Sequence, residues 1–395
     1  MKKILIIHLR NIRTAPRVIR TIEALKDTYL ITTASFDEYG FNGIEHIQLN
    51  MIVSDHRKHW NAAWPLRKFR SLKIKLYHYF SFLYKDHYYE NELWPVSFRD
   101  QCDLRITKKY DLVIAHHWDA LPIAVSIKKK DKSNIIFNAH DYYERQFDSE
   151  ESWVKNRQPL VKFIMKKYVG QVDIVFAAWE KIARDYKENY NVETLVVGNE
   201  SAYWDLQPTQ PDDKIKLIHH GIANENRNLD LMFDMMEVLD ERFELYLMLI
   251  HNEYNQSYFN KLKERAERTD RIYFIDPVAT EKIPARINEF DIGVFILPPV
   301  YFNAEYCVPN KLYEFIQARL AVVVGPSKGF RNIVSDNKTG LVLKDFTAET
   351  AGIALNKITN TDLVEYKKNA SSAAQKLKGE SNYPIIQQAV SGLIG

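Results

Sequence analysis

Lys311 and Glu314 stand three residues apart in NAEYCVPNKLYEF (303–315), just after the apolar run DIGVFILPP. A helix is expected to open there, with Asn310 as N-cap, Pro309 setting its entry, and Leu312, Phe315 and Ile316 turned inward. Both charges then fall in or near its first turn. The unpaired N–H groups and dipole of a helix N-terminus favour an anion, and Lys311 strengthens that preference for a phosphate. Glu314 would accept hydrogen bonds from hydroxyls such as those of a ribose. The plainer reading of Glu314 is a first-turn acid or a capping-box partner. A box fits poorly, because an Asn310 cap puts Tyr313 at the third helical position.

Other polar residues close apolar runs in the same way: His116 and His117 after DLVIA, His140 after NIIFNA, and His219 and His220 in KLIHHG. The last pair reads as structural, and His140 taken alone reads as either structural or functional. Arg10, Arg13 and Arg17 surround the first strand-to-helix turn, where a dinucleotide site would show Gly-x-Gly-x-x-Gly. That motif is absent, and with it the case for NAD. No Gly-x-Ser-x-Gly, His-Glu-x-x-His, P-loop lysine or Asp-x-Asp occurs, which sets aside serine hydrolase, zincin and P-loop chemistry.

The elements that must position these residues are short apolar runs. They are KILIIHL, LITTASF, DLVIAHH, NIIFNAH, DIVFAAW and ETLVVGN, then KLIHHG, FELYLMLIH, RIYFIDPV, DIGVFILPP, AVVVG and GLVL. Runs apolar on both faces, separated by amphipathic segments such as APRVIRTIEALKD and NRNLDLMFDMMEVLDER, predict parallel strands covered by helices. This is a doubly wound α/β pattern. The series breaks once, in GNESAYWDLQPTQPDDK (198–214), and 395 residues exceed one ordinary core. Two Rossmann-like domains facing a cleft are expected, 1–198 and 199–379, with a helix over 380–395 returning to the first. Open α/β sheets bind ligands beyond the carboxyl ends of their strands, so residues that directly follow strands matter most.

Composition limits the function classes. A hydrophobic content of 46%, 27% charged residues and a net charge of +3 describe an ordinary globular protein, not a nucleic-acid binder. Cys102 and Cys307 match no disulfide or metal framework, and MKKILIIHL is too short an apolar run for a signal peptide, so a cytoplasmic protein is expected. No run of 18 apolar residues occurs. Between Arg57 and Lys85, eight Lys or Arg and no acid are interleaved with Trp60, Trp64, Phe69, Tyr77, Tyr79, Phe80, Phe82 and Tyr84. This composition suits either peripheral membrane contact or a helix with a solvated basic face.

Taken together, DIGVFILPP, PNKLYEF, AVVVG and GFRNIVSDNKTGLVL resemble the nucleotide-binding domain of family 4 glycosyltransferases of the GT-B fold. IHHGIANENRNLDLM is similar to that family's strand, glycine and basic helix start, while APRVIRTIEAL, YDLVIAHHWDALPIA and FNAHDYYERQ look like its acceptor-domain segments. The resemblance implies a retaining, metal-independent transfer from a nucleotide-diphosphate sugar, such as a UDP- or GDP-sugar, to a carbohydrate or lipid-linked acceptor, with no cofactor. It implies catalytic roles for His140, Arg227, Lys311 and Glu314, and donor contacts at Gly221, Val278, Asn310 and Glu305. Arg17, His117 and Glu144 would meet the acceptor, although packing for the histidine and a solvated loop for the arginine are open alternatives. The chain departs from the family with Tyr306 where a second glutamate is expected, Ile222 for an arginine, and RLAVVVG without Gly-x-Pro. A degenerate accessory subunit or a sugar-nucleotide epimerase of the same fold are the alternatives.

Overall fold

The computed structural model describes residues 1–50, 89, 90 and 92–395. The basic aromatic segment 57–85 lies outside the described residues. The chain forms two compact units. The first comprises Met1–Ala177, Ala183–Leu195 and Ile385–Gly395, and the second comprises Ala178–Ile182 and Val196–Pro384.

In the first unit, β1 (Lys3–His8), β2 (Leu30–Ser35), β3 (Glu45–Gln48), β4 (Leu112–His116), β5 (Asn134–Ala139), β6 (Ile174–Ala177) and β7 (Glu193–Val196) form one sheet of order β3-β2-β1-β4-β5-β6-β7. The pairs from β3 through β6 are parallel. β4 is buried throughout, as befits a parallel strand covered on both faces. β3 arises from EHIQ, which carries no apolar run. It is held at the sheet edge by pairing with β2 and by the His46 Nδ1 contact to Thr33 Oγ1 at 2.9 Å. The last helix, Tyr383–Ile394, adds to this unit from Ile385 onward: Gln387 donates to the Ala24 carbonyl and Asn134 to that of Leu393, both at 2.8 Å.

The second unit holds β8 (Ile215–Ile222), β9 (Phe243–Ile250), β10 (Ile272–Phe274), β11 (Ile292–Phe295), β12 (Ala321–Val324) and β13 (Gly340–Val342), ordered β10-β9-β8-β11-β12-β13, all parallel. Strand order reverses between β1 and β4 in one sheet and between β8 and β11 in the other, and such switch points are where doubly wound sheets receive ligands. β8 pairs with β9 from Ile215 to Ile222 but with β11 only at Leu217 and Ile218. Its last four residues have left the β11 ladder, and a crevice edge results.

Helix Asn310–Gln317 lies against β11 because Gly293 has no side chain: a Cβ there would come 2.2 Å from the Phe315 ring. Leu312, Phe315 and Ile316 are fully buried, each stabilising the unit by about 1.5–3 kcal/mol. The helix closes with Arg319 in the left-handed conformation (φ 65°), where the family pattern led to the expectation of a glycine. Arg319 is held there by its guanidinium, which donates to the Gln317 carbonyl (2.6 Å) and the Trp204 carbonyl (2.5 Å) and lies over the Tyr203 ring.

Further contacts tie 198–214, where the series of apolar runs breaks, to the body of the second unit. Trp204 N–H donates to Gln317 Oε1 (3.0 Å), Tyr203 N–H to the Glu380 carboxylate, and Thr209 Oγ1 accepts from Lys367 (2.8 Å), so the segment is fastened onto the second unit. Lys367 is buried and also donates to Asp291 Oδ1 (3.0 Å) and the Phe290 carbonyl (3.0 Å). Lys367→Met removes one partner of this buried pair and should cost about 3–5 kcal/mol, read from urea unfolding midpoints at unchanged slope. A change below about 1 kcal/mol would show that the pair is a bystander.

Candidate functional site

In the second unit, Gly221 lies in the part of β8 that has left β11. Its φ of 133° is one that residues with side chains rarely adopt, and a Cβ there would lie 3.0 Å from Lys311 Nζ and 3.7 Å from Arg227 Nη1. A backbone glycine and two cations therefore meet at one point. Arg227 comes from the short turn Glu225–Arg227 that follows β8, and Lys311 from the first turn of helix Asn310–Gln317. The helix N-cap is Pro309, not Asn310 as expected. Pro309 is extended and its carbonyl accepts from Leu312 N–H (3.1 Å), while Asn310 becomes the exposed first helical residue with no capping bond from Pro309.

Lys311 and Glu314 are each at least nine-tenths buried. Lys311 Nζ lies 3.5 Å from His219 Nε2 and 5.0 Å from the centre of the Phe295 ring. Burial, then the nearby Arg227, push its ammonium well below the usual lysine range, and Glu314 acts against them. Glu314 Oε2 lies 3.3 Å from His220 Nε2. Burial raises the Glu314 carboxyl to about 7 against the pull of Lys311, while burial and Lys311 hold His220 down at about 3. The His220 contact is therefore made by a neutral imidazole at neutral pH, not by an ion pair. Such a site offers positive charge and backbone N–H groups to an anion, beside a carboxyl that can accept from hydroxyls.

Of the other positions expected here, Val278 is partly buried against a core cluster of the second unit, and Glu305 pairs with Lys328 (3.6 Å). Tyr306 also meets Lys328, whose ammonium lies 5.3 Å from its ring centre. Ile222 is exposed directly after Gly221.

In the first unit, sheet register sets a second group. His8 pairs with His116 and His116 with Asn138, so three polar residues share the carboxyl ends of β1, β4 and β5. His140 and His117 follow β5 and β4. His117 takes φ 68°, and its ring centre is 4.2 Å from that of His140. Tyr143 Oη accepts from His140 N–H (3.1 Å) and lies 2.9 Å from His117 Nδ1. His140 Nε2 is 3.2 Å from His116 Nδ1, and buried Arg17 donates through Nε to Asn138 Oδ1 (2.9 Å). Burial drives all four imidazoles down, His8 to about 4, with the neighbouring arginines and imidazoles adding to the effect. The cluster is thus neutral at neutral pH. Glu144 is engaged elsewhere, with the Tyr142 and Tyr190 hydroxyls. Among the described residues no group of three or more His, Cys, Asp or Glu is arranged to hold a metal ion. His8, Asn138, Tyr143, His219 and His220 join these groups without having been expected to; His8 carries the same signal as His140, a polar residue ending an apolar strand.

Glu314 gives a pH test with a definite sign. Its carboxyl rises from 4.5 to about 7 on folding, so the folded state binds more protons between those values, and stability from this group is full below pH 4.5 and lost as pH climbs through 7. Glu314→Gln should therefore gain on the wild type progressively over that interval in urea unfolding. A pH-independent difference would place the ionisation elsewhere.

Residues 203–377 match the family model described as glycosyl transferases group 1. No functionally curated protein matches the sequence significantly. Among solved structures, sucrose-phosphate synthase from Thermosynechococcus elongatus is similar with a TM-score of 0.69 at 14% identity, covering 100% of this chain and 99% of that one. HepE from Anabaena in complex with UDP-glucose gives 0.68 at 14%, covering 99% and 100%. A UDP-forming α,α-trehalose-phosphate synthase from Burkholderia vietnamiensis gives 0.65 at 12%, covering 100% and 99%. With its two parallel sheets and their reversed strand order, the chain has the GT-B fold, and residues 203–377 of its second unit are similar to the glycosyl transferases group 1.

Proposed function

We propose that the chain is a retaining, metal-independent glycosyltransferase that moves a sugar from a nucleotide-diphosphate donor to a saccharide or lipid-linked oligosaccharide acceptor, in bacterial surface polysaccharide biosynthesis. The observation that carries the reading is the convergence of Gly221, Arg227 and Lys311 at the β8–β11 switch point. UDP is the first candidate for the nucleotide, because HepE binds UDP-glucose and the trehalose-phosphate synthase is UDP-forming.

As the bond from the sugar to the diphosphate breaks, negative charge grows on the leaving oxygens. Lys311, Arg227 and the N–H groups at the helix start would stabilise that charge more than the ground state, because they are already in place. Glu314 would anchor the ribose hydroxyls. The leaving phosphate itself would accept the proton of the incoming hydroxyl, so no protein nucleophile is required. His140, with Arg17 and His117 beside it, would orient the transferred sugar and the acceptor. The basic aromatic composition of 57–85 supports a cytoplasmic protein that touches the membrane surface. No described helix is long and apolar enough to cross a membrane.

Thermal unfolding against UDP, GDP, CMP and their sugar conjugates tests the donor assignment, since a ligand at a hundred times its dissociation constant adds about 2.7 kcal/mol. UDP and a UDP-sugar should raise the melting temperature, and Glu314→Ala should abolish the rise. Silence from every nucleotide would instead favour an accessory subunit that kept the fold, and product formed without any acceptor would favour an epimerase. The acceptor half is checked by cosedimentation with anionic liposomes, expected at low salt and lost at high salt. Indifference to liposomes at low salt removes the ground for a lipid-linked acceptor.

A further inference from the structure

Lys311 is a buried cation whose neighbours are chosen in an unusual way. The groups facing its ammonium are His219 and His220 from β8, the Phe295 ring from β11, Arg227 from the turn after β8, and Glu314 from its own helix. The one carboxylate among them sits against His220, not against Lys311. Among the described residues, what Lys311 has within reach is a single lone pair, His219 Nε2, at 3.5 Å, the outer limit of a hydrogen bond. The tautomer that leaves that lone pair available is set on the other side of the ring. Where the β8–β11 ladder stops, His219 Nδ1 meets the Val294 carbonyl at 2.9 Å and must donate to it, so Nε2 carries no hydrogen and can only accept. Stacking on Phe295, with ring planes 2° apart, keeps the imidazole in that orientation.

We propose that His219 is a positioning residue for Lys311: its neutral Nε2 steadies the ammonium at the mouth of Gly221 without cancelling its charge. A carboxylate in that place would hold the lysine more tightly, but it would neutralise the site and repel an incoming diphosphate. An aliphatic residue would leave the buried ammonium with no acceptor and favour loss of its proton. The imidazole avoids both outcomes. It also stays neutral itself, because burial and then the charge of Lys311 oppose its protonation.

The inference rests on reading Lys311 as a ligand of the donor diphosphate, and the experiment separates the two. Full-length wild type, His219→Phe and His219→Gln are compared. Phenylalanine keeps the ring against Phe295 and removes the acceptor, whereas glutamine returns an acceptor near the Nε2 position. UDP affinity is measured by calorimetry across pH. The Lys311 side chain is titrated separately by 13C NMR of labelled lysine, its signal assigned by its absence in Lys311→Arg. Since a hydrogen bond to a charged group is worth roughly a tenfold factor, H219F should weaken UDP about tenfold at neutral pH and move the alkaline loss of binding about one pH unit lower, with H219Q close to wild type. H219F that binds UDP with wild-type affinity and an unshifted pH profile overturns the proposal. If the wild type binds no UDP, the donor reading falls, and the NMR titration still decides the role of His219. A Lys311 midpoint lowered in H219F and recovered in H219Q sustains it; equal midpoints in all three overturn it.

Discussion

The missing side chain at Gly293 is the constraint on which the second unit is built. Because nothing projects from β11 there, Phe315 can descend to a distance no other residue would allow, and helix Asn310–Gln317 comes down with it. Lys311 and Glu314 ride on that helix and are delivered beside β8 just where β8 has parted from β11. The charged groups are held by packed secondary structure, not by loops, so their positions are as rigid as the core beneath them.

Both units solve one electrostatic problem in the same manner. Polar groups must line the carboxyl ends of buried strands, and unsatisfied polarity there is expensive. In each case the chain supplies imidazoles next to cations: His8, His116, His117 and His140 near Arg17, and His219 and His220 near Lys311. A neutral imidazole brings no counter-charge to the cation beside it. Under the proposed function, such a site meets its negatively charged ligand with the charges already in place.

Much of this was readable in the residues. All twelve apolar runs are strands, since burial on both faces leaves a compositional mark that needs no tertiary knowledge. β3 left no such mark, because an edge strand with hydrogen-bonded polar side chains has no apolar face to display. Asn310 is an apt capping residue in isolation, yet the extended Pro309 carbonyl receives the first turn. The prolines and polar residues of 198–214 have the composition of a linker, and only contacts with residues over a hundred positions away turn the segment into part of a unit. Lys311, Arg227 and Gly221 were identifiable as individuals through their family pattern. Their partners His219 and His220 were not, because which side chain faces which cation is decided by strand register and by where a ladder ends.

Arg319 carries a consequence for how the second unit can be excised. A glycine at its position would close the preceding helix by itself, whereas the arginine is anchored on the Trp204 carbonyl, and Gln317 and Lys367 likewise close upon residues 204 and 209. A recombinant fragment cut at the start of β8 would retain the whole sheet and yet leave three buried polar side chains each short of one partner. Autonomy of this unit therefore begins near residue 196, some twenty residues ahead of its first strand.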